Sequence, residues 1–501
     1  MTGNVNQGNL VKTAGKFKNF VWFLLPVIGV GLMTTGCKTY EQQNKVIGYW
    51  RQGDVAKAAS EATKEADDHA DGKDAVIWRL EQGATLRAAG QYAASNRAFE
   101  QAQEKIDTYQ QRAKVRVGQE AGALLSNQAN LAYEGRSYDG IMLNTYRALN
   151  YLALGETDKA RPEIIRAYQR QQEAVADNRR RIEKTQEEAD RNKNKARIDQ
   201  AQENPKFQSE LQSSLAGIND VKGYADYVNP FTVYLDGLYF MANATDASDL
   251  ERAHKSLERV MSFDGDNKYV KQDLATVDGL INAKPLTPTT YVIFETGCAP
   301  VRDQTRIDIP IILSKVSYVG AAFPKLEPQG NFQPTLTVTA GGASYRTQIV
   351  ADMDGIIALD FKNELPVVIT KTIAATIAKA VAAYVANDAA RQSSDWLGLL
   401  IQASTAAYQM AVNIADTRTW TTLPKEFQIC RFPTPADGKI ELSTPNGMKA
   451  AVTLNAGSGA KIDLTSTNAQ ASLNSGGAID VVYVKSITTG TPLLVSQFKL
   501  K

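Results

Sequence analysis

Histidine is almost absent from this chain, which has two among its 501 residues. Both lie in predicted helices and neither has a cysteine neighbour, so the spacing of a metal site is missing and no Ser/His/Asp set can be assembled. The sequence also lacks a GxSxG nucleophile elbow, an HExxH motif and a P-loop. We therefore predict no catalytic residue, no metal and no cofactor, and expect a protein that is not an enzyme.

No acidic residue precedes the three lysines of the N-terminus, Lys12, Lys16 and Lys18. The apolar run that follows, FVWFLLPVIGVGLM, is shorter than the roughly 20 residues of a membrane helix. Small residues then precede Cys37. A basic start, a short apolar stretch and small residues are typical of a secretory signal, which we predict over residues 1–36. A short uncleaved anchor helix is the alternative.

A cysteine directly after the small residues resembles a bacterial lipobox. The resemblance implies that Cys37 carries the acyl chains, such as palmitate, that tether the mature chain to a membrane. In Gram-negative lipoproteins the absence of Asp after the cysteine implies sorting to the outer membrane, facing the periplasm. The position after Cys37 holds Lys38.

Two further cysteines, Cys298 and Cys430, each lie near the end of a strand-like run. In an oxidising compartment they can form one disulfide. The alternative is two separate buried thiols, which behave as small apolar side chains. The sequence leaves both open.

Charge is nearly balanced, with a net value of +2. That balance gives no global attraction to nucleic acid. The expected partners are the membrane, through the lipid anchor, and other envelope proteins, with self-association as a further alternative.

Residues 37–285 show helical periodicity in pairs that are separated by short polar breaks. In the first clear pair Gly83 lies on one helix, Gly90 marks the turn, and Phe99 lies on the next. Small and large residues at these offsets resemble a tetratricopeptide repeat. We predict a solenoid of such helix pairs, with a generic helical bundle as the alternative. Stacked helix pairs usually bind partners on a concave face.

A charged stretch interrupts these pairs at about 169–202. Charges of both signs alternate there at helical spacing, which predicts a long solvated helix that projects from the bundle. Its triple Arg179, Arg180 and Arg181 and the aromatic residues Tyr92 and Tyr151 of the repeats are the candidate partner-binding residues. A simple exposed spacer is the alternative for the charged stretch.

Short alternating runs with turn signals between them predict antiparallel strands in residues 286–435. An apolar helical hairpin at 366–415 interrupts these strands. It is expected to pack across the sheet, with a partner surface or membrane insertion as alternatives. Residues 436–501 add further strands, either as a small sandwich or as part of the same sheet. The fold class is therefore α+β, with a tetratricopeptide-like α-solenoid followed by a mixed domain of antiparallel strands and an inserted apolar hairpin.

Five separated segments resemble a family of tetratricopeptide-containing bacterial lipoproteins whose function is uncharacterised. The segments are YVNPFTVYLDGLYF (227–240), YVIFETGCAPVRDQTRIDIPI (291–311), AAFPKLEP (321–328), FKNELPVVITKTIAATIAKAVAAYVA (361–386) and ADTRTWTTLPKEFQICRFPTP (415–435). The resemblance implies export and the two-part architecture but brings no activity. We expect a membrane-anchored envelope scaffold or adaptor that binds partner proteins through its helical repeats. The alternative is a lipid- or glycan-handling module that uses the apolar hairpin.

Overall fold

The computed structural model of the chain describes residues 35–115, 128–215, 224, 227–263, 265–313, 316–391, 414–454 and 479–500. The chain divides into two compact units, residues 1–44 and residues 45–501. The second unit contains every strand and every helix that begins after residue 44. Its architecture is mixed α and β, in which a helical half precedes the sheets, as predicted.

Twelve α-helices form the helical part of the described residues. They are α1 Thr35–Arg51, α2 Val55–Asp68, α3 Ala75–Ala88, α4 Tyr92–Val115, α5 Ser137–Ala153, α6 Thr157–Asp190, α7 Lys195–Gln202, α8 Pro205–Ser214, α9 Pro230–Ala242, α10 Ala247–Phe263, α11 Lys268–Ile281 and α12 Met353–Arg391.

Three helical hairpins follow one another in this part: α3 with α4, α5 with α6, and α9 with α10. The first two turn at Gly90 and Gly155, whose positive φ angles suit residues without a Cβ. Gly83 faces the ring of Phe99 so closely that a Cβ on Gly83 would overlap the ring. The first helix of each hairpin is buried along nearly its whole length. These first helices are therefore interior elements.

Eleven strands form three sheets in the described residues. They are β1 Thr289–Thr296, β2 Val301–Leu313, β3 Val316–Glu327, β4 Thr337–Ala340, β5 Ala343–Arg346, β6 Gln348–Asp352, β7 Glu426–Pro433, β8 Lys439–Ser443, β9 Lys449–Thr453, β10 Ile479–Ser486 and β11 Leu494–Lys499. The central sheet has the order β11-β10-β1-β7-β6, a second has the order β5-β4-β8-β9, and β2 pairs with β3 alone.

The described strand pairs within residues 286–435 are antiparallel, as predicted, but β1 runs parallel to β10 of the C-terminal region. Seven of the eight residues of β10 are buried. A continuous apolar run such as its VVYV is typical of a central strand that is covered on both faces. The last two strands, β10 and β11, therefore complete the sheet that begins at residue 289, whereas β8 and β9 join β4 and β5 in the second sheet.

The two faces of β1 divide the unit into three layers. Tyr291 and Glu295 point to the helices, where they bond to Asp273 of α11 and Tyr146 of α5. On the opposite face the hydroxyl of Thr296 bonds to the carbonyl of Gln333, and the second sheet packs there. The central sheet thus lies between the helices and the second sheet.

One hydrophobic core joins these layers. It runs from Val76 in α3 through the central sheet to Leu500. The predicted boundary at residue 285 therefore marks a change of secondary structure inside one compact unit. The inner helices of the hairpins pack against the chain's own sheet, as when Phe231 of α9 stacks on Phe427 of β7 with ring centroids 4.0 Å apart.

The charged stretch at 169–202 is not a single projecting helix. It forms the second half of α6, a break at 191–194 and then α7. Thr185 and Ala189 are buried on one side of α6, and Ile198 lies in a second core with Ile373 and Ile377 of α12. The prediction missed this contact because charge dominates the stretch and few apolar residues mark the buried side.

The apolar helix α12 is longer than predicted, since it begins at Met353 and contains Pro366 in its interior. Its inner side packs on the β2–β3 ribbon, as expected of a helix that covers a sheet. By length and composition its segment Met353–Ala382 could span a membrane, although 56% of its most apolar window is buried inside the protein. Most of the second helix of the predicted hairpin lies outside the described residues.

Candidate functional site

Cys37 is in α1. In the second unit, Cys298 and Cys430 are free, buried thiols. The disulfide alternative is contradicted by strand register: Cys430 pairs with Val292 in β1, and Cys298 is six residues farther along the chain. The four residues from Val292 to the end of β1 at Thr296 alone extend on the order of 13 Å at about 3.3 Å per residue, whereas disulfide-bonded Cα atoms lie about 4.4–6.8 Å apart.

The predicted partner-binding residues do not share one surface. Arg179, Arg180 and Arg181 are exposed on α6, and Arg180 pairs with Asp177 one turn away. Tyr151 is half-buried against the main core at the end of α5. Tyr92 lines a cavity.

That cavity, which we call the β11 cleft, lies between the helices and the edge of the central sheet. Its volume is about 30 Å³, enough for one or two water molecules. The lining comes from α3, α4, α5, β1, β10 and β11. It consists of Ala84, Arg87, Ala88, Tyr92, Tyr146, Glu295, Tyr483, Lys485, Leu494, Val495 and Ser496.

Glu295 is the centre of the polar groups in the β11 cleft. Its Oε1 accepts hydrogen bonds from the Tyr146 hydroxyl, at 2.8 Å, and from the Lys485 ammonium, and its Oε2 accepts one from the Tyr483 hydroxyl. Burial alone would raise the pKa of Glu295, but Lys485 and Arg87 outweigh it and hold this pKa below its usual range. The carboxylate is therefore ionised and already occupied by donors.

Arg87 supplies the second cation of the β11 cleft. Its guanidinium carbon lies 4.7 Å from the ring centroid of Tyr483, 5.2 Å from that of Tyr146 and 5.9 Å from that of Tyr92. Its Nη1 donates to Oδ1 of Asn150 at 2.7 Å. Two cations, Arg87 and Lys485, thus face one carboxylate in the lining.

This arrangement favours binding over proton transfer. Each oxygen of Glu295 already accepts a hydrogen bond, and the tyrosine hydroxyls beside it have raised pKa values because they are buried and next to that carboxylate. A surplus of one positive charge attracts an anionic group. The geometry therefore suits recognition of a carboxylate or another anion at the mouth of the β11 cleft.

Sequence reasoning identified Tyr92 of this cleft and missed the rest. The signal was available in the strands, because Glu295 ends the apolar run YVIFE and Lys485 ends VVYVK. Their pairing depends on the parallel register, which places Glu295 opposite Lys485. Two charges at matching positions of two apolar strands would have indicated the pair.

A second buried polar cluster joins α5, α12 and β2. Arg136 and Arg302 both donate to Oε2 of Glu364, at 2.5 and 2.8 Å. Burial raises the pKa of nearby Asp360 to about 7, and the charge of Glu364 adds to this effect. The cluster thus joins the three elements, and Nη2 of Arg136 also donates to the carbonyl of Arg418 at 3.2 Å.

The segment that follows the apolar hairpin forms a polar cap. Arg418 donates to Asp416 at 2.7 Å and to Asp74 of α3 at 2.8 Å. Both Thr421 and Thr422 donate to Glu81 of α3. Burial raises the pKa of Glu81 to about 7 despite these bonds. In the described residues no group of three or more His, Cys, Asp or Glu side chains is arranged to hold a metal ion.

Comparison of the chain with protein-family models, with curated proteins and with solved structures found no match to any of them.

Proposed function

We propose that this protein is a lipid-anchored lipoprotein of the bacterial cell envelope that acts as a non-enzymatic scaffold and binds partner proteins. The predicted signal at 1–36, followed directly by Cys37, supports the anchor and the compartment. The helical hairpins with glycine at their turns and crossings support a tetratricopeptide-like origin of the helical half.

The layered packing changes where a partner binds. In a free solenoid the inner helices would offer a concave face. Here Tyr138, Tyr146 and Tyr234 on the inner helices are almost completely buried. A partner protein therefore meets the outer helices, the exposed side of α6 and the sheet edges.

The observation that carries the proposal is the length of α6. It has 34 residues, whereas its hairpin partner α5 has 17. The extension is held on one side, where Asn178 donates to the carbonyl of Asn363 in α12 at 3.2 Å. Arg179, Arg180 and Arg181 are exposed on this extension, and the charge of Arg181 helps to lower the pKa of Glu364 in α12. A fixed helix that presents three arginines suits contact with an acidic surface of a partner.

Mild crosslinking in the native envelope, followed by capture of the protein and mass spectrometry, tests this function. The wild type is compared with an Arg179→Ala, Arg180→Ala, Arg181→Ala triple variant. A Lys57→Ala, Lys64→Ala, Lys255→Ala variant is the matched control, because it also removes three exposed positive charges.

We expect specific partner proteins with the wild type and with the lysine variant, and a marked loss with the arginine variant. Failure to capture any specific partner with the wild type would overturn the proposed function. Equal capture of partners by the wild type and both variants would show that the arginines of α6 do not contribute to partner binding.

A further inference from the structure

β11 is the end strand of the central sheet among the described strands, and the β11 cleft lies beside it. We propose that an extended segment of a partner protein adds to the central sheet as a strand next to β11 and places an acidic side chain at Arg87 and Tyr92. This inference rests on the proposed function, since it names the chemistry of one partner contact.

Hydrogen bonds to β10 alternate along β11, so every second residue of β11 directs its N–H and C=O to the outer side, where such a strand would lie. The N–H of Leu500 donates to the carbonyl of Ile479 at 3.1 Å, which makes this position a hydrogen-bonded antiparallel pair. Such pairs alternate along the ladder. Leu494, Ser496 and Phe498 therefore bond to β10, and Val495 directs its N–H and C=O away from the sheet.

No described strand pairs with that outer side, because β11 ends the order of the central sheet. Unpaired N–H and C=O groups at a sheet edge are a template for strand addition. A strand beside Val495 would receive main-chain bonds there, and its alternate side chains would point to the helical layer.

Charge selects the side chain that enters the β11 cleft. Ser496 is in register with Tyr483, and Leu494 with Lys485, so both point to the same face as Glu295. A residue opposite Ser496 on an added strand would lie within about 5 Å of it. The nearby lining holds two cations and one carboxylate, and Arg87 and Tyr92 provide donors for a further carboxylate.

The test titrates the full chain with a labelled nine-residue peptide of alternating Thr and Val with a central Glu. A peptide with Gln in the centre is its control, and binding is followed by fluorescence anisotropy. We expect the Glu peptide to bind at least about tenfold more tightly than the Gln peptide, as a charge-assisted hydrogen bond would give.

A variant pair tests the strand edge itself. Val495→Pro removes only the outward N–H, and proline is tolerated on edge strands, whereas Val495→Ala keeps it. We expect Val495→Pro to lower the affinity for the Glu peptide by at least about tenfold, and Val495→Ala to lower it by less than about twofold. If Val495→Pro does not fold, a peptide that is N-methylated at the residue opposite Val495 replaces it and should lose the same affinity.

Equal affinities for the Glu and Gln peptides, no binding of the Glu peptide, or unchanged binding by both Val495→Pro and the N-methylated peptide would overturn the proposal. These outcomes are distinct from failure of the scaffold function. The envelope capture can succeed when the peptide titration fails, and then another surface binds the partner. A successful titration with no captured partner would contradict only the scaffold function.

Discussion

Glu295 of β1 and Lys485 of β10 lie opposite each other in the parallel pair at the middle of the central sheet, and their side chains form a buried ion pair. The two residues are 190 positions apart in the chain. Their contact joins the first strand after the helices to the last part of the sequence. The same pair forms the floor of the β11 cleft.

Replacement of Glu295 by Gln should destabilise the fold strongly. The side chain of Lys485 is 10% exposed, so removal of its partner leaves a buried charge, which costs about 3–5 kcal/mol in the free energy of unfolding. Urea denaturation measures this loss. Glu251→Gln is the matched control, because it breaks an exposed pair with Lys255 and should leave stability unchanged. Equal effects of the two variants would contradict the buried pair.

Gly83→Ala should destabilise the first helical hairpin. A Cβ at this position would overlap the ring of Phe99, and overpacking of a core typically costs about 1–3 kcal/mol. Gly48→Ala in α1 is the matched control, since nothing lies within 4 Å of its new Cβ. That substitution should be neutral or stabilising, because alanine is favoured in helices. Thermal unfolding of both variants measures the difference. A Gly83→Ala variant that is more stable than the wild type would contradict the close contact between Gly83 and the ring of Phe99.

Both Cys298 and Cys430 should be found as thiols in the native protein. Alkylation after unfolding without a reductant, followed by peptide mass mapping, should modify both residues. Cys430 is opposite Val292 in the middle of β1, whereas Cys298 lies beyond the end of β1 at Thr296, so the two are too far apart for a bond. A peptide that links the two would contradict the register of this strand pair.

Asp360→Asn should flatten the dependence of stability on pH. Burial raises the pKa of Asp360 to about 7 in the folded chain, and in the unfolded chain this carboxyl titrates near pH 4. Between these values the folded state binds more protons, so the contribution of Asp360 is complete below about pH 4 and is lost as pH rises toward 7. The asparagine variant has no such proton to lose.

Urea denaturation at pH 4.5 and pH 7.5 measures the difference. The wild type should lose more stability than Asp360→Asn over this interval, by on the order of 2–4 kcal/mol. Asp71→Asn, at a fully exposed side chain, is the control and should follow the wild type. Parallel profiles for the wild type and Asp360→Asn would show that Asp360 titrates alike in both states.

Local patterns in the sequence predicted most of the individual elements. Apolar periodicity and the glycines at 83, 90 and 155 located the helical hairpins, and the run YVIFE located β1. Such signals come from residues that are close together in the chain. The parallel pairing of β1 with β10 has no such local signal, because the run VVYV is equally compatible with a strand of a separate sandwich.

The difference between local and tertiary signals also explains which residues of the β11 cleft could be predicted. Tyr92 was found because it begins a predicted helix of a repeat, whereas Arg87, Glu295 and Lys485 come from three elements that only tertiary packing brings together. The inner helices do not form the expected exposed concave face, for a related reason. A helical pattern shows which residues are apolar but not whether they bury against a partner or against the chain's own sheet.

Hydroxyl-radical footprinting of the isolated full chain tests whether the inner helices of the hairpins are buried against the chain's own sheet. It compares the oxidation of Tyr146, Tyr234 and Trp420, which are completely or almost completely buried, with that of the half-buried Tyr92 and Tyr151. We expect much slower oxidation of the first three in the absence of any partner. Oxidation of Tyr146 and Tyr234 as fast as that of Tyr92 would show an open concave face and contradict this expectation.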